Sequence, residues 1–203
     1  MWSRKFAYGV GLLVADGCLS KDGRHIDFTS KDKAQVDLFK KCLRLQVKSC
    51  IKYSGSGTQA YRVQFGDVLF YRFLVGIGLS SAKSKTLSSI RIPQKYFFDF
   101  VRGYFDGDGC SYSYWDSQYK LSFRFYISFA SASPLFIAWL RGKLSEELKI
   151  KGYVNGYPDR PYLQLKYAKK EAVVLSKKMY YRAGALCLQR KYVKIKSAVD
   201  LIT

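Results

Sequence analysis

The chain carries one pattern twice, and this repetition limits its possible folds more than any other feature. The first copy is Gly9-Val-Gly-Leu-Leu-Val-Ala-Asp-Gly17 and the second is Val101-Arg-Gly-Tyr-Phe-Asp-Gly-Asp-Gly109. An offset of 92 residues lays Asp16 on Asp108, Gly11 on Gly103, Ala15 on Gly107 and Gly17 on Gly109. The stretches after the two copies also correspond. After the first come a polar turn at 21–24 and an alternating run, His25 to Ser30, whose period of two reads as a half-buried strand. Asp32 is placed to cap a helix to about Leu43. Two strands, 48–53 and 60–65, flank a Ser/Gly turn at 54–58, and Asp67 is placed to cap a helix to about Val75. After the second copy, 110–115 and 120–129 read as a hairpin. Ser133-Pro134 opens a helix to about Leu148, with proline at the first helical position. Strands over 151–155 and 162–167 then lead to a helix over 169–180. The expectation is an α+β protein of two pseudo-symmetric αββαββα halves: residues 1–95, including a connection from Ser81 to Lys95, and residues 96–203.

Within the copies, Ala7, Gly11 and Ala15 fall four residues apart, with Gly103 and Gly107 in the places of the last two. That spacing makes one row on a helix face. Glycine inside a helix costs roughly 0.5–1 kcal/mol against alanine, so the row calls for close contact between the two helices through Gly11, Ala15, Gly103 and Gly107. Asp16 and Asp108 then end the helices, each followed by a glycine able to take the left-handed conformation. A helix C-terminus disfavours a carboxylate, and two converging carboxylates disfavour each other. A divalent cation reverses that balance. Carboxylate, carbonyl and water ligands suit Mg²⁺, which makes Asp16, Asp108, Ala15 and Gly107 the candidate metal ligands.

The charge points to a polyanionic partner. The 203 residues carry 35 Lys/Arg against 15 Asp/Glu, a formal net charge of +20. The excess is shared between residues 1–95 (17 against 6) and 96–203 (18 against 9), so it is a surface property and not a basic tail. Such an excess fits nucleic acid. A 48% hydrophobic share excludes disorder as the main state. No apolar run reaches the roughly 20 residues of a membrane span. Five cysteines without a CxxC pair, and a single histidine, argue against zinc. No apolar leader follows Met1, so the expected setting is intracellular, cytoplasmic or organellar, with reduced thiols.

The paired motifs resemble the two copies of the LAGLIDADG motif in single-chain homing endonucleases. The resemblance takes in 83–87, Ile92-Pro93 and the ending at 187–192. It implies a pseudo-twofold monomer whose curved antiparallel sheets sit astride double-stranded DNA. It also implies Mg²⁺-dependent double-strand cleavage by the last acidic residue of each motif, Asp16 and Asp108, with two or three divalent ions and Ca²⁺ or Mn²⁺ able to substitute. Family sites place basic residues around the metals; Lys31, Lys83 and Lys191 occupy such positions, with Lys85 and Arg190 beside them. The first copy departs from the motif at Val14, where the second has Asp106, a position that serves the fold. Arg102 is structural or DNA-proximal. Two rivals use the same scaffold: an RNA maturase, and a DNA-binding protein that does not cleave.

Readout belongs to the non-core face of the strands. Val63 and Phe65 read inward, leaving Arg62 and Gln64 outward. Leu163 and Leu165 read inward, leaving Gln164 and Lys166. Phe123, Phe125, Ile127 and Phe129 make a core stripe, leaving Ser122, Arg124, Tyr126 and Ser128. His25, Asp27, Thr29 and the neighbouring Ser30 are the first-half counterparts. Arg, Gln and Ser/Thr suit base edges in the major groove. The outward residues differ between halves, so the expected target is at best an imperfect palindrome.

Overall fold

In the computed structural model, which describes residues 2–53, 57–156 and 161–203, the repetition becomes architecture. Helix α1 (Arg4–Asp16) runs into β1 (Gly17–Leu19) and β2 (His25–Ser30). Next come α2 (Lys33–Leu43), β3 (Cys50–Tyr53), β4 (Gln59–Gly66) and α3 (Val68–Ile77). A short helix α4 (Lys83–Thr86) and a 3₁₀ turn (Gln94–Tyr96) lead to the second series. That series is α5 (Phe97–Asp108), β5 (Gly109–Trp115), β6 (Phe123–Ser131), α6 (Pro134–Leu148), β7 (Tyr153–Gly156), β8 (Leu163–Ala168), α7 (Lys169–Met179) and α8 (Gln189–Asp200). Each half builds a four-stranded antiparallel sheet, in the order β1-β2-β4-β3 and β5-β6-β8-β7. Residues 54–56 of the expected Ser/Gly turn lie outside the described residues.

The capping residues stand where the sequence puts them. Asp32 accepts from the Ala34 N–H, Asp67 from Phe70 and Ser133 from Phe136, each satisfying a first-turn donor that has no partner within the helix. The register repeats as well: Gly17 lies opposite Phe28 as Gly109 lies opposite Phe129, and Thr29 lies opposite Arg62 as Ala130 lies opposite Gln164. The inward stripe of β6 is core, with Phe125, Ile127 and Phe129 at most 1% exposed. Burying each such side chain contributes roughly 1.5–3 kcal/mol.

Helices α1 and α5 pack backbone to backbone. A Cβ added at Gly11 would fall on the Phe100 carbonyl oxygen and the Tyr104 nitrogen. One at Gly103 would fall on the Tyr8 carbonyl, and one at Gly107 on the Ala15 methyl. The glycines after the aspartates, by contrast, are extended and not left-handed: Gly17 has φ −86° and Gly109 φ −91°. Each enters a strand directly. Their need for glycine is steric, since a Cβ at Gly17 would meet Leu13 and one at Gly109 would meet Phe105.

Two charged residues of α5 are buried fixtures. Asp106 accepts from the Tyr8 hydroxyl at 2.6 Å and the Leu188 N–H at 2.8 Å. Arg102, 2% exposed, donates to the carbonyls of Met179 and Leu186 and to Asp99. Arg102 is therefore structural. Together the two residues tie the segment before α8 to the motif helix.

Candidate active site

Because α1 and α5 lie side by side and both sheets start at their C-terminal ends, Asp16 and Asp108 meet where the two sheets begin. The Asp16 charge registers on Asp108. Asp108 is pushed up to about 6, by the atoms crowded around it and then by the Asp16 charge, while Lys83 and Lys191 pull it down. Burial raises Asp16 too, opposed by a hydrogen bond from Gln35 and by the same two lysines. Asp108 keeps an open face to solvent while Asp16 is half-buried. Behind Asp108 lies a cavity of about 370 Å³ lined by Ala15, Lys83, Tyr104, Ser131 and Tyr162, among others.

The two lysines are placed alike. Lys83, on α4, donates to the Val14 and Ala15 carbonyls at 2.6 and 2.9 Å. Lys191, on α8, donates to the carbonyls of Phe105 and Gly109, both at 2.7 Å, and to Gly107 at 3.3 Å. Each ammonium thus lies against carbonyls at the end of a motif helix, where a cation is favoured. Burial lowers both lysines, and the neighbouring aspartates oppose that lowering. The carbonyls of Ala15 and Gly107, expected as metal ligands, each accept from one of these ammoniums. Among the described residues no three His, Cys, Asp or Glu side chains cluster as a ligand set. A cation held by the pair would therefore complete its shell from water and the substrate.

Lys31 is exposed in the turn between β2 and α2 and is not among the charges acting on either aspartate. Gln35, which the sequence did not single out, sits there instead. It is 3% exposed, donates to Asp16 Oδ2 at 2.6 Å and accepts from the Ser30 hydroxyl at 2.7 Å. Its equivalent in the second half is Phe136, third residue of α6 as Gln35 is of α2, and Phe136 packs on Tyr104. The only sequence signal was a polar residue on the core-facing side of α2.

The strand faces carry the expected side chains, several already engaged. Arg62 pairs with Asp27, whose other oxygen accepts from Thr29. The His25 ring meets Asp22, and Arg124 meets Asp116 at 3.0 Å. Gln64 is exposed, and Ser122, Tyr126, Gln164 and Lys166 are partly so. Ser128 faces outward but is only 4% exposed. It is a short side chain in register between Cys110 and Lys166, too low to reach past them. Asp27, an acid on the face expected to read DNA, is neutralised by Arg62.

Two motif helices in glycine contact, each delivering an aspartate to the base of a four-stranded sheet, define the LAGLIDADG architecture. The chain has the fold of LAGLIDADG homing endonucleases. The I-LtrWI LAGLIDADG homing endonuclease bound to target DNA matches with TM-score 0.63 and 14% identity over 98% of this chain and 90% of its own. The LAGLIDADG meganuclease I-AabMI bound to uncleaved DNA matches with TM-score 0.64 and 15% identity over 97% and 91%. Full-length DUF199/WhiA from Thermatoga maritima matches with TM-score 0.62 and 16% identity over all of this chain and 62% of its own. No protein-family model and no curated protein matches the chain in sequence. At such identities the likeness establishes the fold, and the chemistry must be argued from the site.

Proposed function

We propose that the protein is a sequence-specific, divalent-metal-dependent DNA endonuclease that makes a double-strand break at a long, nearly asymmetric site. The observation that carries this reading is the convergence of Asp16 and Asp108 at two helix C-termini, where burial and the Asp16 charge leave Asp108 raised to about 6 even with Lys83 and Lys191 beside it. The carboxylates would hold Mg²⁺. When bound, such an ion stabilises the attacking and leaving oxygens of a phosphodiester. Gln35 fixes the orientation of the Asp16 carboxylate through Oδ2. Lys83 and Lys191 hold positive charge beside the pair, where it favours the scissile phosphate, and they keep the helix ends closed. The two sheets, starting at the pair, lie on either side of it and read the two half-sites, with phosphate contacts from the basic surface setting position. The neighbours solved with DNA support the duplex as partner, and a single chain supplies both halves, so the acting species is a monomer.

The test is cleavage of a randomised duplex library in Mg²⁺. Recovery of one defined site with ends on both strands supports the proposal. Specific retention of a duplex with no cut ends favours a DNA-binding protein that does not cleave.

A further inference from the structure

The outer faces of the two sheets differ in kind. On the second sheet, Tyr112 on β5 lies opposite Tyr126 on β6, with ring centroids 4.9 Å apart and planes 18° from parallel. Tyr114, two residues along β5, stacks with both at 6.5 and 6.3 Å. Tyr112 is 39% and Tyr114 48% exposed. The equivalent register positions of the first sheet are Ser20, opposite His25, and Asp22: small, polar and acidic. Nothing in the core explains three tyrosines here, because the core stripe of β6 is the alternate set Phe125, Ile127 and Phe129.

The geometry of the cluster narrows what it can contact. A separation of 4.9 Å is the spacing of neighbouring strands, so the rings stand upright and cover one another's faces. What they turn outward is ring edge and hydroxyl. A platform for unpaired bases needs open ring faces, and the facing sides of Tyr112 and Tyr126 are taken. Ring edges suit the one apolar feature of the major groove, the C5-methyl group of thymine.

Resting on the duplex reading above, we infer that Tyr112, Tyr114 and Tyr126 are specificity-determining residues that read thymine methyl groups in the half-site bound by the second sheet. The first sheet has no aromatic cluster at the equivalent positions. The target is then methyl-dependent at one end only.

The experiment begins with a duplex selected by binding in Ca²⁺ from a randomised library. Each thymine of that duplex is then replaced singly by deoxyuridine, which removes the methyl and nothing else. Wild type should lose about three- to fourfold in affinity at two or more adjacent positions, all in the half-site opposite the end where Arg62→Ala relaxes preference. Tyr112→Ser/Tyr126→Ser should erase this sensitivity, and Tyr112→Phe/Tyr126→Phe should keep it, since the ring edge remains. Tyr112 is exposed and Tyr126 half-buried, so the folded state of each variant is checked directly by melting. A selected duplex insensitive to uracil, or uracil effects equal at both ends, overturns the tyrosine assignment while leaving the DNA reading intact. Tighter binding to unpaired strands than to the duplex overturns the inference through base stacking. Failure to recover any duplex contradicts the DNA reading itself.

Discussion

At the residue scale, two carboxylates are held in an unfavourable place. Asp108 sits at about 6 against an ordinary 3.8, so the folded chain holds that proton more tightly than the unfolded chain does. Its contribution to stability therefore falls as pH rises from about 4 through 6 and is level above that. In chelator, Asp108→Asn should melt above wild type at pH 7 to 8, and the difference should vanish near pH 4. Thermal melts across that range decide it; a variant that melts below wild type at pH 8 would mean the carboxylate is already compensated. Mg²⁺ should raise the melting temperature of wild type and not that of the variant, because the proposed site needs both carboxylates. Gln35→Ala should slow cleavage by roughly tenfold or more while leaving affinity in Ca²⁺ within about threefold, since misplacing one group at a reacting centre costs that much; single-turnover cleavage and filter binding separate the two. Asp16 and Asp108 were legible in the sequence because the repeat pairs them. Gln35 was not, because it belongs to the site only once α2 has packed beneath β2, and no second copy marks it: its counterpart is Phe136.

At the scale of elements, the helix pair is the joint of the molecule. Gly103→Leu should unfold or badly destabilise the protein, and even Gly11→Ala should cost about 1–3 kcal/mol, because the atoms in the way are backbone. Gly142, in the middle of α6 with open space around its missing Cβ, is the control: Gly142→Ala should add roughly 0.4–1 kcal/mol. Denaturant melts of the three variants compare these, and similar effects at Gly11 and Gly142 would deny the close contact. The glycine row was readable because small residues four apart on a helix cost stability unless a second backbone comes close. Helix α8 was not readable: of its residues only Ile195 and Ala198 are buried, so it has almost no apolar stripe. It is held by tertiary anchors, Asp106 on the Leu188 N–H and Lys191 on the end of α5. The extended caps at Gly17 and Gly109 escaped the sequence for a related reason. Asp-Gly permits a left-handed end, but a strand entered at once, with Leu13 and Phe105 packed behind it, requires an extended one.

At the scale of the whole molecule, a duplicated fold with unlike faces should read an unlike pair of half-sites. Arg62 and Gln164 occupy equivalent places in the two sheets, opposite Thr29 and Ala130. Arg62→Ala and Gln164→Ala should each relax preference at a few base pairs, by roughly 1–3 kcal/mol of discrimination, and at opposite ends of the site. Cleavage of every single-base variant of the target maps both effects; uniform losses across all variants would show that these strands hold the backbone and read no bases. The central claim, that this fold cuts DNA with its paired aspartates, is tested most directly by Mg²⁺-dependent cleavage of the selected duplex by wild type, Asp16→Asn, Asp108→Asn and the double variant, with Ca²⁺ binding measured alongside. Wild type is expected to cut both strands and each variant to lose double-strand cutting while binding within roughly tenfold of wild type, since in the proposed function each carboxylate holds metal and adds no attraction for phosphate. Full cutting by the double variant, or binding without cutting by wild type, would contradict it.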